Sequence, residues 1–159
     1  MLPEKEKFYE AATKKLIKQI DDFNLEKLAR IKAKNFVLLF RDSFKLPEVK
    51  HVVFYPDLGE DMKALTYDSD AFCKISYAYE KLMPECKFDL YYINDIWTFG
   101  PHHYLVHKPT KLVFDLTFDQ YKHVGIDIPY DMGTKVIENP KDYEIAYRFA
   151  DAIGIKIDR

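Results

Sequence analysis

Only two cysteines, Cys73 and Cys86, occur in 159 residues. That is too few for a disulfide framework or a four-cysteine zinc site. Charge of one sign is also missing. Lys plus Arg total 24 against 26 Asp plus Glu, so no overall basic field holds nucleic acid non-specifically. No stretch approaches the ~18 apolar residues of a membrane-spanning helix. The opening MLPEKEKFYEAATKK has no apolar signal-peptide region. The expectation is a cytoplasmic protein with reduced thiols, no membrane partner and no cofactor. Internal repeats and low-complexity segments are absent. What is abundant is aromatic: 12 Phe and 12 Tyr within a 48% hydrophobic composition. Disordered chains lack such content, and a chain of this length buries roughly 70% of its unfolded surface. One domain is expected over residues 1–159. It divides into a helical part (1–50), a core (51–138) and a C-terminal helix (139–159).

Hydrophobic periodicity lays out the elements. Phe8, Ala12, Leu16, Ile20 and Phe23 recur at helical spacing over residues 3–22. Asn24 is a candidate cap for a second helix carrying Leu25, Leu28 and Ile31. The FVLLF run at 36–40 either continues that helix or begins a buried strand. Residues 51–55 read as a strand. A helix is expected from the Asp68-Ser69-Asp70 cap to Pro84. Residues 88–93, 103–107 and 112–116 then read as strands, with a Pro109-Thr110 turn between the last two. Residues 121–133 read as a surface loop, and Asn139-Pro140 opens the last helix. Helices followed by an antiparallel sheet make the class α+β.

Cys73 falls near the start of its expected helix. Unpaired amides and the helix dipole there favour the thiolate, which is the nucleophilic form. The alternative is inert packing, since free cysteine is commonly buried. Cys86 has no such setting and reads as structural or incidental. His102, His103 and His107 lie on one hairpin arm, and Asp115 lies on the other. A histidine accepts a thiol proton, and a carboxylate fixes the other ring nitrogen. Register decides the pair. A three-residue turn puts His103 on the Asp115 face, and a two-residue turn favours His102. Two further readings remain open: metal binding, for which no zinc spacing is present, and three histidines on a solvated hairpin.

Phe72-Cys73-Lys74-Ile75-Ser76-Tyr77-Ala78 resembles the nucleophile helix of papain-like and transglutaminase-like cysteine enzymes. His103-Tyr104-Leu105-Val106 resembles their histidine strand. Phe114-Asp115-Leu116-Thr117, with Asp119-Gln120-Tyr121 after it, resembles the aspartate strand, and Ile128-Pro129-Tyr130 and Gly133 echo small phage and bacterial members. The resemblance covers residues 66–133. It implies a papain/transglutaminase-like core in which a nucleophile helix packs on an antiparallel sheet. The implied triad is Cys73, His103 as general base and Asp115, with His102, Gln120 and Asn94 in support and no metal. The implied activity is hydrolysis, deamidation or transamidation of a peptide, isopeptide or side-chain amide bond in a protein or peptide substrate.

A non-catalytic interaction module on the same fold is the competing class. Tyr91, Tyr92, Trp97, Phe99, Tyr121 and Tyr130 would serve it as contact residues, or else pack the sheet. A nucleic-acid binder built on Lys14, Lys15, Lys18, Lys27, Arg30, Lys32 and Lys34 is disfavoured. Glu4, Glu6, Asp21, Asp22 and Glu26 interleave with these cations as on a solvated helix face.

Overall fold

The computed structural model describes residues 3–43, 83–94, 102–119 and 126–136, with positions 147, 150, 151 and 154. The first helix, α1, spans Pro3–Gln19 and tightens into a 3-10 turn over Ile20–Phe23. Its buried stripe is Tyr9, Ala12, Thr13, Leu16, Ile20 and Phe23. Phe8 is 46% exposed, so the expected stripe was one residue out at its N-terminal end. The reason is Tyr9, whose ring packs under Arg41 and whose hydroxyl donates to the Arg41 carbonyl. Asn24 stops the 3-10 turn in the left-handed region, at φ 54°. Short polar side chains tolerate that conformation, so Asn24 serves as a terminator instead of the expected cap.

The second helix, α2, runs from Lys27 to Ser43 and absorbs the FVLLF segment. It buries Ala33, Phe36, Val37 and Phe40, whereas Leu28 and Ile31 face outward. The expectation that Leu28 and Ile31 pack inward therefore fails. A longer helix has a second possible face, and the aromatic-rich half takes the core.

Four strands follow: β1 (Phe88–Ile93), β2 (His102–His107), β3 (Val113–Phe114) and β4 (Thr134–Lys135). They form an antiparallel sheet in the order β3-β2-β1-β4. Among the described residues the chain is thus two helices and a four-stranded antiparallel sheet, an α+β arrangement. Strand β3 is shorter than the expected 112–116, because the chain turns at Leu116-Thr117. Strand β4 was not expected, for its two exposed residues carry no apolar pattern.

Side chains alternate across the sheet. Phe88, Leu90, Leu105 and Phe114 face the helices in a core that includes Leu16, Phe36, Phe40 and Cys86. Cys86 is fully buried there, as its structural reading expects. Phe23 sets its ring edge-on to Phe88 and to Phe114, each at 5.3 Å. His107 joins this cluster 4.6 Å from the Phe23 ring. Burial, aided by the nearby Lys87 charge, holds its pKa below the usual histidine value. The opposite face carries Tyr91, Ile93, Tyr104, Val106 and Val113, covered by Ile126, Ile128 and Tyr130. The strand at 51–55 and the Cys73 helix lie outside the described residues.

Gly133 marks the closest approach on that second face. A Cβ there would overlap the Tyr104 hydroxyl and lie 2.7 Å from its Cζ. Gly133→Ala is expected to destabilise the protein by about 1–3 kcal/mol through overpacking. Adding Tyr104→Phe should relieve part of that loss. A urea-melt double-mutant cycle checks this, and strict additivity would count against the contact.

Candidate functional site

The β2–β3 hairpin sets the site. Its four-residue loop, 108–111, closes with His107 N donating to the Leu112 carbonyl at 2.9 Å. Lys111 N donates back to the His107 carbonyl at 2.7 Å, with Lys111 in the left-handed region at φ 61°. Loops of this length are commonly built around a type I turn. The resulting register pairs Leu105 with Phe114 and Val106 with Val113. Continued one step, it sets Asp115 across from Tyr104, which makes His102 the diagonal neighbour on the same face.

His102 Nε2 lies 2.6 Å from Asp115 Oδ2. The resemblance implied His103 in that place. His103 points to the helix side and stacks on Tyr92 at 6.0 Å. The correction has a simple cause, since a one-residue difference in register exchanges the faces. Solvated histidines are also excluded: His102, His103 and His107 are all buried.

Asp115 gathers further donors. Tyr130 Oη donates to Oδ2 at 2.7 Å, and the Thr117 amide donates to Oδ1 at 3.0 Å. The second is an Asx turn, a side chain capping an amide two residues on. A carboxylate can only accept, so Nε2 is the donor here, and in the neutral form of the ring that leaves Nδ1 as the nitrogen without a proton. Tyr130 is itself held by Tyr104, whose hydroxyl donates to the Tyr130 carbonyl at 2.8 Å. Burial first, and the Asp115 charge second, push the Tyr104 pKa up to about 12 and that of Tyr130 higher still.

Those shifts carry a sign. Both tyrosines titrate near 10 when unfolded and later when folded. Their contribution is complete below about pH 10 and is lost as pH rises through the folded values. Stability is therefore expected to fall by about 1.4 kcal/mol per tyrosine for each pH unit between 10 and 12. Urea midpoints at pH 9 and 11.5 check this, and Tyr130→Phe should flatten the dependence.

The turn that carries Asp115 is anchored from behind. Arg41 of α2 has no exposed surface. Its guanidinium grips Asp119 in a bidentate pair at 2.8 and 3.0 Å. It also donates to the Leu116 carbonyl at 3.0 Å, the Tyr9 carbonyl at 3.1 Å and Thr13 Oγ1 at 2.9 Å. Five donors and a fixed fork suit arginine to this task. The sequence offered one hint, a cation in line with Val37 and Phe40 on an apolar helix. Thr117 could have been found from the Asp-x-Thr spacing of an Asx turn. Nothing in the sequence tied Arg41 to Asp119.

A cleft of about 590 Å³ opens beside Asp115. One wall is the helix face of Lys15, Lys18, Gln19 and Asp22, and the other is Val113, Asp115, Phe118 and Tyr130. Gln19 Nε2 donates to the Val113 carbonyl at 2.6 Å and ties the walls together. Lys15 Nζ sits over the Phe118 ring, 5.2 Å from its centre.

Other expected site residues fall elsewhere. Asn94 is exposed one residue past β1. Cys73 and Gln120 lie outside the described residues, as do Trp97, Phe99 and Tyr121. Tyr91 and Tyr92 are half-buried, Tyr91 stacking on Tyr104 at 5.9 Å. Among the described residues no cluster of His, Cys, Asp and Glu suits a metal ion, and no helix is long and apolar enough to cross a membrane. Comparison with protein-family models, curated proteins and solved structures finds no match.

Proposed function

We propose that this chain is a cysteine-dependent acyl-transfer enzyme with a papain/transglutaminase-like core, acting on an amide bond of a protein or peptide. Cys73 is the nucleophile, His102 the base and Asp115 the orienting carboxylate. The observation that carries the reading is the buried 2.6 Å contact between His102 Nε2 and Asp115 Oδ2. It directs the basic Nδ1 of the ring to proton transfer. In the proposed cycle Nδ1 takes the Cys73 proton and the thiolate attacks the carbonyl carbon. As the C–N bond breaks, the imidazolium returns the proton to the leaving amine. The thioester is then resolved by water, or by an amine in transamidation. Each acceptor gives up its proton to His102, which passes it to the departing thiolate.

The complete burial of His102 favours a second reading. In an interaction module the same pair is a satisfied polar network inside the fold. Thiol alkylation against pH, mapped by mass spectrometry, separates the two. The enzyme reading expects fast labelling of Cys73 below pH 7, slowed about tenfold or more by His102→Gln and unchanged by His103→Gln. Cys86, being fully buried, labels only if the variant unfolds and so reports on folding. Labelling of Cys73 at the rate of a free thiol in all three proteins overturns the enzyme reading.

A further inference from the structure

We propose that the cleft beside Asp115 is a binding site for a carboxylate-bearing peptide side chain. The site takes its polarity from α1 and the 3-10 turn that ends it. Lys15, Lys18, Gln19 and Asp22 follow at helical spacing on one face and line the cleft together. Over seven residues the helix advances about 10 Å. The lining therefore runs from cation to anion along the groove, with Lys15 and Asp22 at its ends. Among the described residues Lys18 makes no ion pair, and Lys15 is committed only to the face of Phe118. A ring face orients an ammonium without neutralising its charge. Two ammonium groups thus meet the groove with their charge unspent.

The facing wall decides what kind of anion fits. Val113 and Phe118 give an apolar strip for a methylene stem. Asp115 and Asp22 also line the groove, so two carboxylates stand against two ammonium groups and the lining is formally neutral. Charge alone therefore does not choose between anions; the apolar strip does, and a phosphate ion has no stem to lay on it. A single carboxylate on a short aliphatic stem meets the lysines with its head and the apolar strip with its stem. The volume, about 590 Å³, lies within the range of pre-formed ligand pockets. It holds an acidic side chain with its flanking backbone. The Gln19–Val113 hydrogen bond fixes the spacing of the walls in advance of binding, which lowers the ordering cost. The site shares Asp115 and Tyr130 with the dyad, so an acidic residue bound there lies beside the proposed reaction centre. Its role as a substrate anchor rests on the acyl-transfer reading, whereas binding itself does not.

The test uses the full chain with its lysines reductively dimethylated with ¹³C, a label that keeps the charge. Acetyl-Glu-amide and its Gln isostere are titrated in turn and followed by proton–carbon correlation spectra. Lys15 and Lys18 are assigned by single Lys→Gln variants. The expected result is saturable movement of the Lys15 and Lys18 signals with the Glu peptide and none with the Gln peptide. Each Lys→Gln variant should weaken binding about three- to fivefold, as for exposed charge pairs. Equal response to both peptides, or equal movement of Lys32 and Lys87, overturns the proposal. So does inorganic phosphate that competes more tightly than the Glu peptide. Cys73 reactivity is read in a separate experiment, so loss of either result leaves the other standing.

Discussion

Arg41→Met is expected to cost about 3–5 kcal/mol of stability, the size seen when one partner of a buried pair is removed. The residue left behind is the difficulty. Asp119, 1% exposed, would be left in the interior without the guanidinium that grips it twice. The carbonyls of Leu116 and Tyr9 would lose a donor at the same time. Each unsatisfied buried group costs roughly 1–3 kcal/mol. Arg41→Met combined with Asp119→Leu should recover much of the loss, because an apolar pair of similar volume needs no solvation. Urea unfolding of the two single variants and the double gives the coupling energy. A single-variant cost below about 1 kcal/mol would mean that water reaches the pair. Asp119 lies four residues after Asp115, on the turn that presents it. If the proposed triad holds, the single variant should also slow Cys73 labelling, and the double variant should restore it.

Asp115→Asn is expected to lower stability by about 2–4 kcal/mol and, under the proposed acyl-transfer function, to abolish the activation of Cys73. The carboxylate accepts on both oxygens: His102 and Tyr130 on Oδ2, Thr117 on Oδ1. Asparagine has one acceptor oxygen and one donor nitrogen. Keeping Thr117 satisfied turns the amide nitrogen toward two donors. The ring then answers by moving its proton to Nδ1, and the basic nitrogen faces the wrong way. A comparable exchange in a serine triad lowers turnover about 10⁴-fold. Nitrogen-15 shifts of His102 distinguish the tautomers directly. A wild-type ring protonated at Nδ1, or a variant that keeps its Nε2 proton, would contradict this account.

Much of this architecture could be read from the chain. The helical spacing of Leu16, Ile20 and Phe23 and the aromatic strand at 88–93 needed no tertiary information. The pairing of a hairpin histidine with Asp115 was also legible, but which histidine was not. That choice depends on a loop of Lys108 to Lys111 whose last residue adopts a left-handed conformation, and lysine gives no sign of doing so. Phe8 and Tyr9 are both apolar enough to face inward. Only the presence of Arg41, 32 positions away, selects Tyr9. Strand β4 carries no pattern because it pairs at an edge with both side chains exposed. Local rules reached the elements, and contacts distant in sequence decided the site.

The strand order has a temporal consequence. Among the described residues, strands β3 and β4 are the two edges of the sheet, although they follow one another in the chain. Between them, residues 126–130 lie over the face made by β1 and β2. That crossing has nothing to lie on until the inner pair exists. The inner strands are therefore expected to join first, with the segment bearing Tyr130 settling after the longer chain closure has been met. The hydroxyl of Tyr130 is thus expected to reach Asp115 late in folding. Substitutions in this crossing should change the rate at which the protein comes apart more than the rate at which it forms. The Tyr130–Asp115 contact is then expected to be completed late and released early.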